Sequence, residues 1–145
     1  PQDFAKRYGD KEEIKMKATY EAKLIGPLCV DKINKTLEME LDPGNVRLSK
    51  AAHKKIACKH QDDYEICMRH MESVIVEPTY MGQHPKHLDK MELIKRVEGG
   101  KHIVLVAVTI EKNEYGNYSI ASSYTVSEDD IARWRRSGSI GITRK

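Results

Sequence analysis

Between Lys15 and Leu24 the apolar and aromatic residues Met16, Ala18, Tyr20, Ala22 and Leu24 occupy every second position. A period of two predicts a strand or extended arm, ended by Gly26-Pro27. The pattern then lengthens. Asp31 is placed to cap a short helix with Ile33 and Leu37 on one face, and Asp42-Pro43-Gly44-Asn45 is a turn. Ser49 reads as the N-cap of a basic helix reaching His60, with Ala52 and Ile56 inward. A second helix is expected from about Asp63 to Ile75, its stripe formed by Tyr64, Cys67, Met68, Met71, Val74 and Ile75, with Pro78 closing it.

The second half returns to strands. Met91–Val97 and His102–Ile110 are separated by Gly99-Gly100, a hairpin signal, and Asn113–Asn117 makes another turn. Tyr118–Val126 is expected as a third strand, with Tyr118, Ile120, Ser122, Tyr124 and Val126 on one face and Ser119, Ala121, Ser123 and Thr125 on the other. Ser127 with Asp130 has the spacing of a capping box for a last helix stopped by Ser137-Gly138. Ser139–Thr143 adds a short edge strand. The expected fold is therefore α+β: N-terminal helices, then a four-stranded antiparallel sheet with a late capping helix. Helices are expected on one sheet face and a cleft on the other. Residues 1–14 are read as a flexible, polar segment and 15–145 as one domain.

Composition narrows the class. With 39% hydrophobic and 32% charged residues in 145, the chain has the balance of a soluble globular protein. Its longest apolar run, Ile103–Val108, is far too short to cross a bilayer. It opens at Pro1 without a Met, and is expected to be cut from a longer polypeptide that carries any targeting signal upstream. Cys29, Cys58 and Cys67 are an odd count without a pairing motif, which favours a reducing compartment over a disulfide scaffold.

Charge changes the picture more. The net value is only +3, yet Val46–His60 and Ala132–Lys145 together hold +10 in 29 residues with no acid among them. If these stretches meet, they form a patch suited to a phosphate backbone; otherwise they are two solvated faces.

Several residues can carry chemistry. His53 and His60 lie seven apart on the predicted basic helix, roughly 10 Å by helical rise, too far to share one metal but suited to lining a cleft. His84-Pro85-Lys86-His87 has metal-like spacing but no third ligand nearby, so a solvated loop is the favoured reading. Ser122-Ser123-Tyr124-Thr125 places a run of hydroxyls on a strand, and Lys95 and Arg96 on a neighbouring strand add charge. Cutting RNA without metal needs a base for the 2′-hydroxyl, an acid for the leaving oxygen and cations for the developing charge. These residue types supply all three. No P-loop, dinucleotide fingerprint, Gly-x-Ser-x-Gly or Cys-His zinc pattern occurs.

The order VRLS, KKIACKH, VIVEPTYMG, MELIKR, HIVLVAVTI and YSIASSYTVSEDDIARWRRSG, spread over roughly Ile25 to Ile140, resembles the phage- and polymorphic-toxin nuclease families grouped with barnase, EndoU, colicin D and RelE. In those families a helix opens with Leu-Ser and ends with a His, and later strands carry a Lys and a Ser-Tyr or Ser/Thr-x-Tyr element. Matched residue by residue, His60 takes the place of the helix-ending His, Lys95 that of the strand Lys, and Ser123, Tyr124 and Thr125 that of the hydroxyl strand. One departure stands out. The pattern often has a His just before the Ile of the first helix, where this chain has Lys55. Either Lys55 takes over a phosphate contact, or His53 reaches in from two residues earlier.

The resemblance implies a ribonuclease toxin domain that needs no cofactor and cuts RNA, transfer RNA first among candidates, to a 2′,3′-cyclic phosphate. It implies His60, Lys95, Ser123, Tyr124, Thr125 and His53 as catalytic candidates. RNA contacts would come from Lys55, Arg47, Lys59, Arg96, Arg135 and Arg136. It further implies a cognate immunity protein, a larger delivery protein in cis, and secretion or delivery into the cytoplasm of a bacterial target cell, with no membrane partner. Two rival readings are a non-catalytic RNA-binding module, for which one Phe and one Trp beside seven Tyr are a poor stacking set, and a phage structural or adaptor domain that kept the fold.

Overall fold

The computed structural model describes residues 20–145. The flexible segment expected over 1–14 and most of the arm expected from Lys15 lie outside the described residues. Strand β1 (Lys23–Pro27) and helix α1 (Val30–Leu37) come first. Strand β2 (Asn45–Leu48) runs into helix α2 (Lys50–Lys59), a single 3-10 turn at Gln61–Asp63, and helix α3 (Tyr64–Val76). Strands β3 (Tyr80–Gln83), β4 (Lys90–Val97), β5 (His102–Thr109) and β6 (Tyr118–Thr125) follow. Helix α4 (Glu128–Ser137) and strand β7 (Gly141–Ile142) end the fold.

The architecture is α+β, but helices first and then four antiparallel strands is not what forms. The sheet has seven strands in the order β1-β2-β6-β5-β4-β3-β7, with four helices interleaved. It is mixed, because β2 pairs parallel with β6 (Val46 opposite Tyr118) while its other pairs are antiparallel. The short strands escape a local reading for a physical reason. β2 and β3 have four residues each, too few to display a period, and β2 becomes a strand by pairing with β1 on one side and with β6 on the other. Gly26-Pro27 lies inside β1 rather than ending a strand before it; an edge strand tolerates Pro because its N–H is not needed for a second neighbour.

The larger core lies between the sheet and α1, α2 and α3. Ile56, Cys67, Met71, Val74 and Ile75 pack against strand residues including Leu93, Val104 and Val106. Each fully buried aliphatic side chain there contributes about 1.5–3 kcal/mol by leaving water. The opposite face is not the open cleft expected. Helix α4 lies on it, with Ile131 and Trp134 against Tyr80, Ile94, Ile103 and Leu105. Its start follows from Ser127 and Asp130: Asp130 N–H donates to Ser127 Oγ (3.0 Å) and Ser127 N–H to Asp130 Oδ2 (3.1 Å). Gly138 ends it at φ 79°, the left-handed conformation that costs a glycine least. The chain then crosses β3 so closely that a Cβ on Gly82 would sit 2.0 Å from the Ser139 carbonyl oxygen.

Strand β6 carries a bulge that positions the site. Ile120 stands opposite Val108 and Ser122 opposite Ala107, so Ala121 is an extra residue and the alternation slips by one. The two faces expected of this strand therefore exchange partway along it. Tyr118 and Ile120 face the larger core, whereas Ala121, Tyr124 and Val126 join the smaller one. Beyond Ser119 β2 has ended, which leaves the far half of β6 as an open edge. Side chains of α2 and the 3-10 turn cover it. Lys55 Nζ donates to the Ala121 carbonyl (3.0 Å), and Thr125 N–H donates to Asp63 Oδ2 (3.1 Å). Backbone groups that a neighbouring strand would have met are met here by charged side chains.

Candidate active site

Catalytic groups need hydrogen-bonding capacity that the fold has not already used, so partners sort the candidates. His53 is fully buried. Its Nδ1 lies 2.8 Å from the Glu21 carbonyl oxygen, which only accepts, so Nδ1 carries the proton and donates. Nε2 then accepts from the Tyr64 hydroxyl at 2.6 Å. Tyr20 closes the cluster edge-on, its ring centroid 5.4 Å from that of His53. Both nitrogens are engaged, and His53 fastens the chain before β1 to α2 and α3.

Ser123 is likewise buried and donates its hydroxyl to the Leu105 carbonyl (2.9 Å), on the α3 side where it also meets the Cys67 thiol. Burial pushes that thiol up to about 11, so it stays protonated. Thr125 pairs with Val104 of the same core face, and Lys95 Nζ donates to Ser73 Oγ of α3 at 2.7 Å. The fold thus puts Ser123, Thr125 and Lys95 on the face opposite Tyr124.

His60 stands apart from these. It ends α2, where the chain turns into Gln61–Asp63, and its ring stacks on Tyr124 with centroids 5.1 Å apart and planes at 30°. Neither ring nitrogen bonds to a described residue. The ring opens onto a depression of about 370 Å³ lined by Cys58, Lys59, His60, Gln61, Asp62 and Asp63. Tyr124 is half-buried. Burial first, then the charges of Glu92 and Asp130, raise its pKa, so its phenol is a proton-bearing donor at neutral pH.

Two further groups share this face: the sequence reading passed over Glu92 and assigned His84 to a solvated loop. Glu92 on β4 stands opposite Ala107 of β5, which stands opposite Ser122 of β6. Glu92 is only 9% exposed, and its carboxylate makes no hydrogen bond to a described residue. Burial raises its pKa, and the nearby His84 works against that rise. His84 in turn has its Nδ1 fixed as an acceptor from the backbone N–H groups of Lys86 (3.0 Å) and His87 (3.1 Å), which leaves Nε2 to carry the proton. The loop read as solvated therefore holds one ordered imidazole at the rim of the site. No three His, Cys, Asp or Glu side chains among the described residues are placed to hold a metal ion. A signal for Glu92 did exist: one acid within the otherwise apolar run Met91–Ile94 is costly unless used.

The basic residues fall into two groups. Lys55 and Lys59 follow α2 along the edge of β6, and Arg47 on β2 alternates with the buried Val46 and Leu48, so it points to the other face. Arg96 and Arg135 both lie over the Tyr80 ring, each 5.6 Å from its centroid. Arg96 also forks between the Tyr80 hydroxyl (3.1 Å) and the Glu128 carboxylate, while Arg136 is exposed on the last turn of α4. Tyr80 is three strands from Tyr124, about 14 Å at usual strand spacing. The groups flank the face instead of merging, with Glu92, Tyr124 and Asp130 between them.

Residues 23–133, about three quarters of the chain, match the family model described as phage-Barnase-EndoU-ColicinE5/D-RelE like nuclease3. No curated protein and no solved structure matches the chain.

Proposed function

The chain belongs to the phage-Barnase-EndoU-ColicinE5/D-RelE like nuclease family, and on that premise we propose that it is a ribonuclease cutting RNA by 2′-hydroxyl transfer, with transfer RNA as its preferred substrate. The observation that carries this reading is the His60 imidazole, neither nitrogen bonded to a described residue, stacked on Tyr124 beside an open depression. RNA brings its own nucleophile, so the protein has only to move protons and meet charge on the phosphate. His60 moves a proton, the Tyr124 hydroxyl donates to a phosphate oxygen, and Lys55 with Lys59 neutralises the strand beside them. Arg47, Arg96, Arg135 and Arg136 hold the backbone further out. Ser123, Thr125, Lys95 and His53 have no part in the chemistry of this reading.

Origin and partners follow as further parts of the proposal. The domain works in the cytoplasm of a bacterial target cell after delivery by a larger protein, and a cognate immunity protein covers the basic face with acidic surface. No helix among the described residues is long and apolar enough to span a membrane.

The test is cleavage of total RNA, and of DNA of matched sequence, by the purified chain. The expected outcome is RNA cut in excess EDTA, ends carrying 2′,3′-cyclic phosphate, and intact DNA. Cleavage of DNA, or activity that a chelator abolishes and a divalent ion restores, overturns the reading.

A further inference from the structure

One row of polar side chains on the Tyr124 face stands clear of the proton-transfer groups. Arg47 of β2 lies opposite Ser119 of β6, the Ser119 N–H donates to Thr109 Oγ1 of β5 (3.1 Å), and Thr109 lies opposite Lys90 of β4. All four alternate with residues of the larger core: Val46 and Leu48 flank Arg47, Tyr118 and Ile120 flank Ser119, Val108 precedes Thr109 and Met91 follows Lys90. They therefore point away from α1, α2 and α3. Glu92 and Ala107, one row closer to Tyr124, are buried, whereas these four are only half-buried. Neither Arg47 nor Lys90 has an acidic partner among the described residues, although Asp42, Asp89 and Glu111 lie in the loops that flank their strands. Arg69, Arg96 and Arg133, by contrast, all form ion pairs. Partial burial strips each charge of some hydration, and an arriving anion restores what is lost.

Resting on the ribonuclease reading above, we propose that Arg47, Ser119 and Lys90 form a second contact line for the RNA backbone, so that the substrate extends several nucleotides beyond the bond that is cut. Arg47 and Lys90 each meet a phosphate. The Ser119 hydroxyl, which makes no hydrogen bond to a described residue, donates to a phosphate or ribose oxygen between them. Thr109 takes no part in the contact, because its hydroxyl already donates to the Glu111 carbonyl (3.1 Å) and accepts from Ser119. Three strand gaps separate the two cations, about 14 Å, and four residues of strand rise, again about 14 Å, separate Thr109 from Leu105, the partner of Tyr124. A dinucleotide has a single phosphodiester and cannot reach this row while that phosphate lies at His60. A longer strand has a way across: the small, half-buried Ser122 and Ala121 lead along β6 from Tyr124 to Ser119, and Lys55 is held beside them at the Ala121 carbonyl (3.0 Å). Contacts of this kind place a strand without reading its bases, so the row sets substrate length and not sequence.

The probe is a series of 2′-O-methyl oligoribonucleotides of increasing length, which lack the nucleophile and so bind without being cut. Wild type should bind the longer members more tightly than the shorter ones. Arg47→Gln with Lys90→Gln should lose that gain, and the slope of its log Kobs against log salt should shrink by about 1.4, the share of two single-strand phosphate contacts. Lys90→Gln alone should take about 0.7, which keeps the test open if the double variant folds poorly. Arg47→Lys with Lys90→Arg keeps both charges and should keep the wild-type slope. For unmodified RNA the loss in the double Gln variant should fall on KM rather than kcat. A double Gln variant with the slope and length dependence of wild type, in a chain that cuts RNA, overturns the proposal and leaves the ribonuclease reading standing. A charge-keeping variant as impaired as the Gln pair means that the two residues act through packing, and it also overturns the proposal. Binding that depends on the row in a wild-type chain that cuts no RNA keeps the row and removes the ribonuclease reading. A chain that neither binds nor cuts RNA removes both.

Discussion

His53 and His60 share one helix and nearly one face, yet their chemistry differs because their partners do. His53 gives and takes one hydrogen bond each, to Glu21 and Tyr64, in a site closed to water. His60 stacks on Tyr124, and neither of its nitrogens bonds to a described residue. His60→Ala should therefore abolish RNA cleavage, a loss of about 10²- to 10⁴-fold, at an unchanged circular dichroism spectrum and melting temperature. His53→Ala should do the reverse: it leaves the Glu21 carbonyl and the Tyr64 hydroxyl short of a partner, costs about 1–3 kcal/mol, and lowers the melting temperature by several degrees. Folded His53→Ala protein should cut RNA near the wild-type rate, and a folded but inactive variant refutes this assignment. The helix and its two histidines were legible from Ser49 onward. Their roles were not, because the partners that decide them lie 32 residues before and 11 residues after His53.

Elements repeat that lesson over longer distances. The strands of eight residues and the capping box of α4 are local patterns, and they stand where the pattern put them. The bulge at Ala121 is not local. It arises from pairing with β5, and it moves Tyr124 to the face where it stacks on His60 while turning Ser123 into the core. The adjoining edge of β6 depends on Asp63, whose carboxylate accepts the Thr125 N–H. Asp63→Ala should lower stability by about 1 kcal/mol and speed hydrogen exchange at the Thr125 amide ahead of its β6–β5 neighbours. Unchanged exchange at Thr125 would show that another group holds this edge.

Across the whole molecule the charge asymmetry was plain in the sequence, but its geometry was not. One basic segment runs along the edge of β6 beside Tyr124 and the other places Arg135 over Tyr80, two rings about 14 Å apart by strand spacing, with acidic groups between them. An RNA strand that lies across the face meets both, and their contributions should add. Removing Arg135 and Arg136 together should reduce the slope of log Kobs against log salt by about 1.4, as the loss of two single-strand phosphate contacts does, and removing Lys55 and Lys59 should reduce it by a similar further amount. Binding titrations of the two double variants and the quadruple variant between low and physiological salt check this. A quadruple variant no weaker in its salt dependence than either double means that the segments bind different ligands.

The parallel seam between β2 and β6 joins residues separated by about half the chain, Val46 with Tyr118 and Arg47 with Ser119. Closing so long a loop is slow, because the entropy is lost before the contacts form. His60 belongs to the portion before β3, whereas Glu92, Ser122 and Tyr124 all come after it. Neither portion alone brings His60 onto Tyr124. On the proposed ribonuclease reading, cleavage can begin only once this seam has closed, so the rate of closure during refolding should set the lag before RNA is cut.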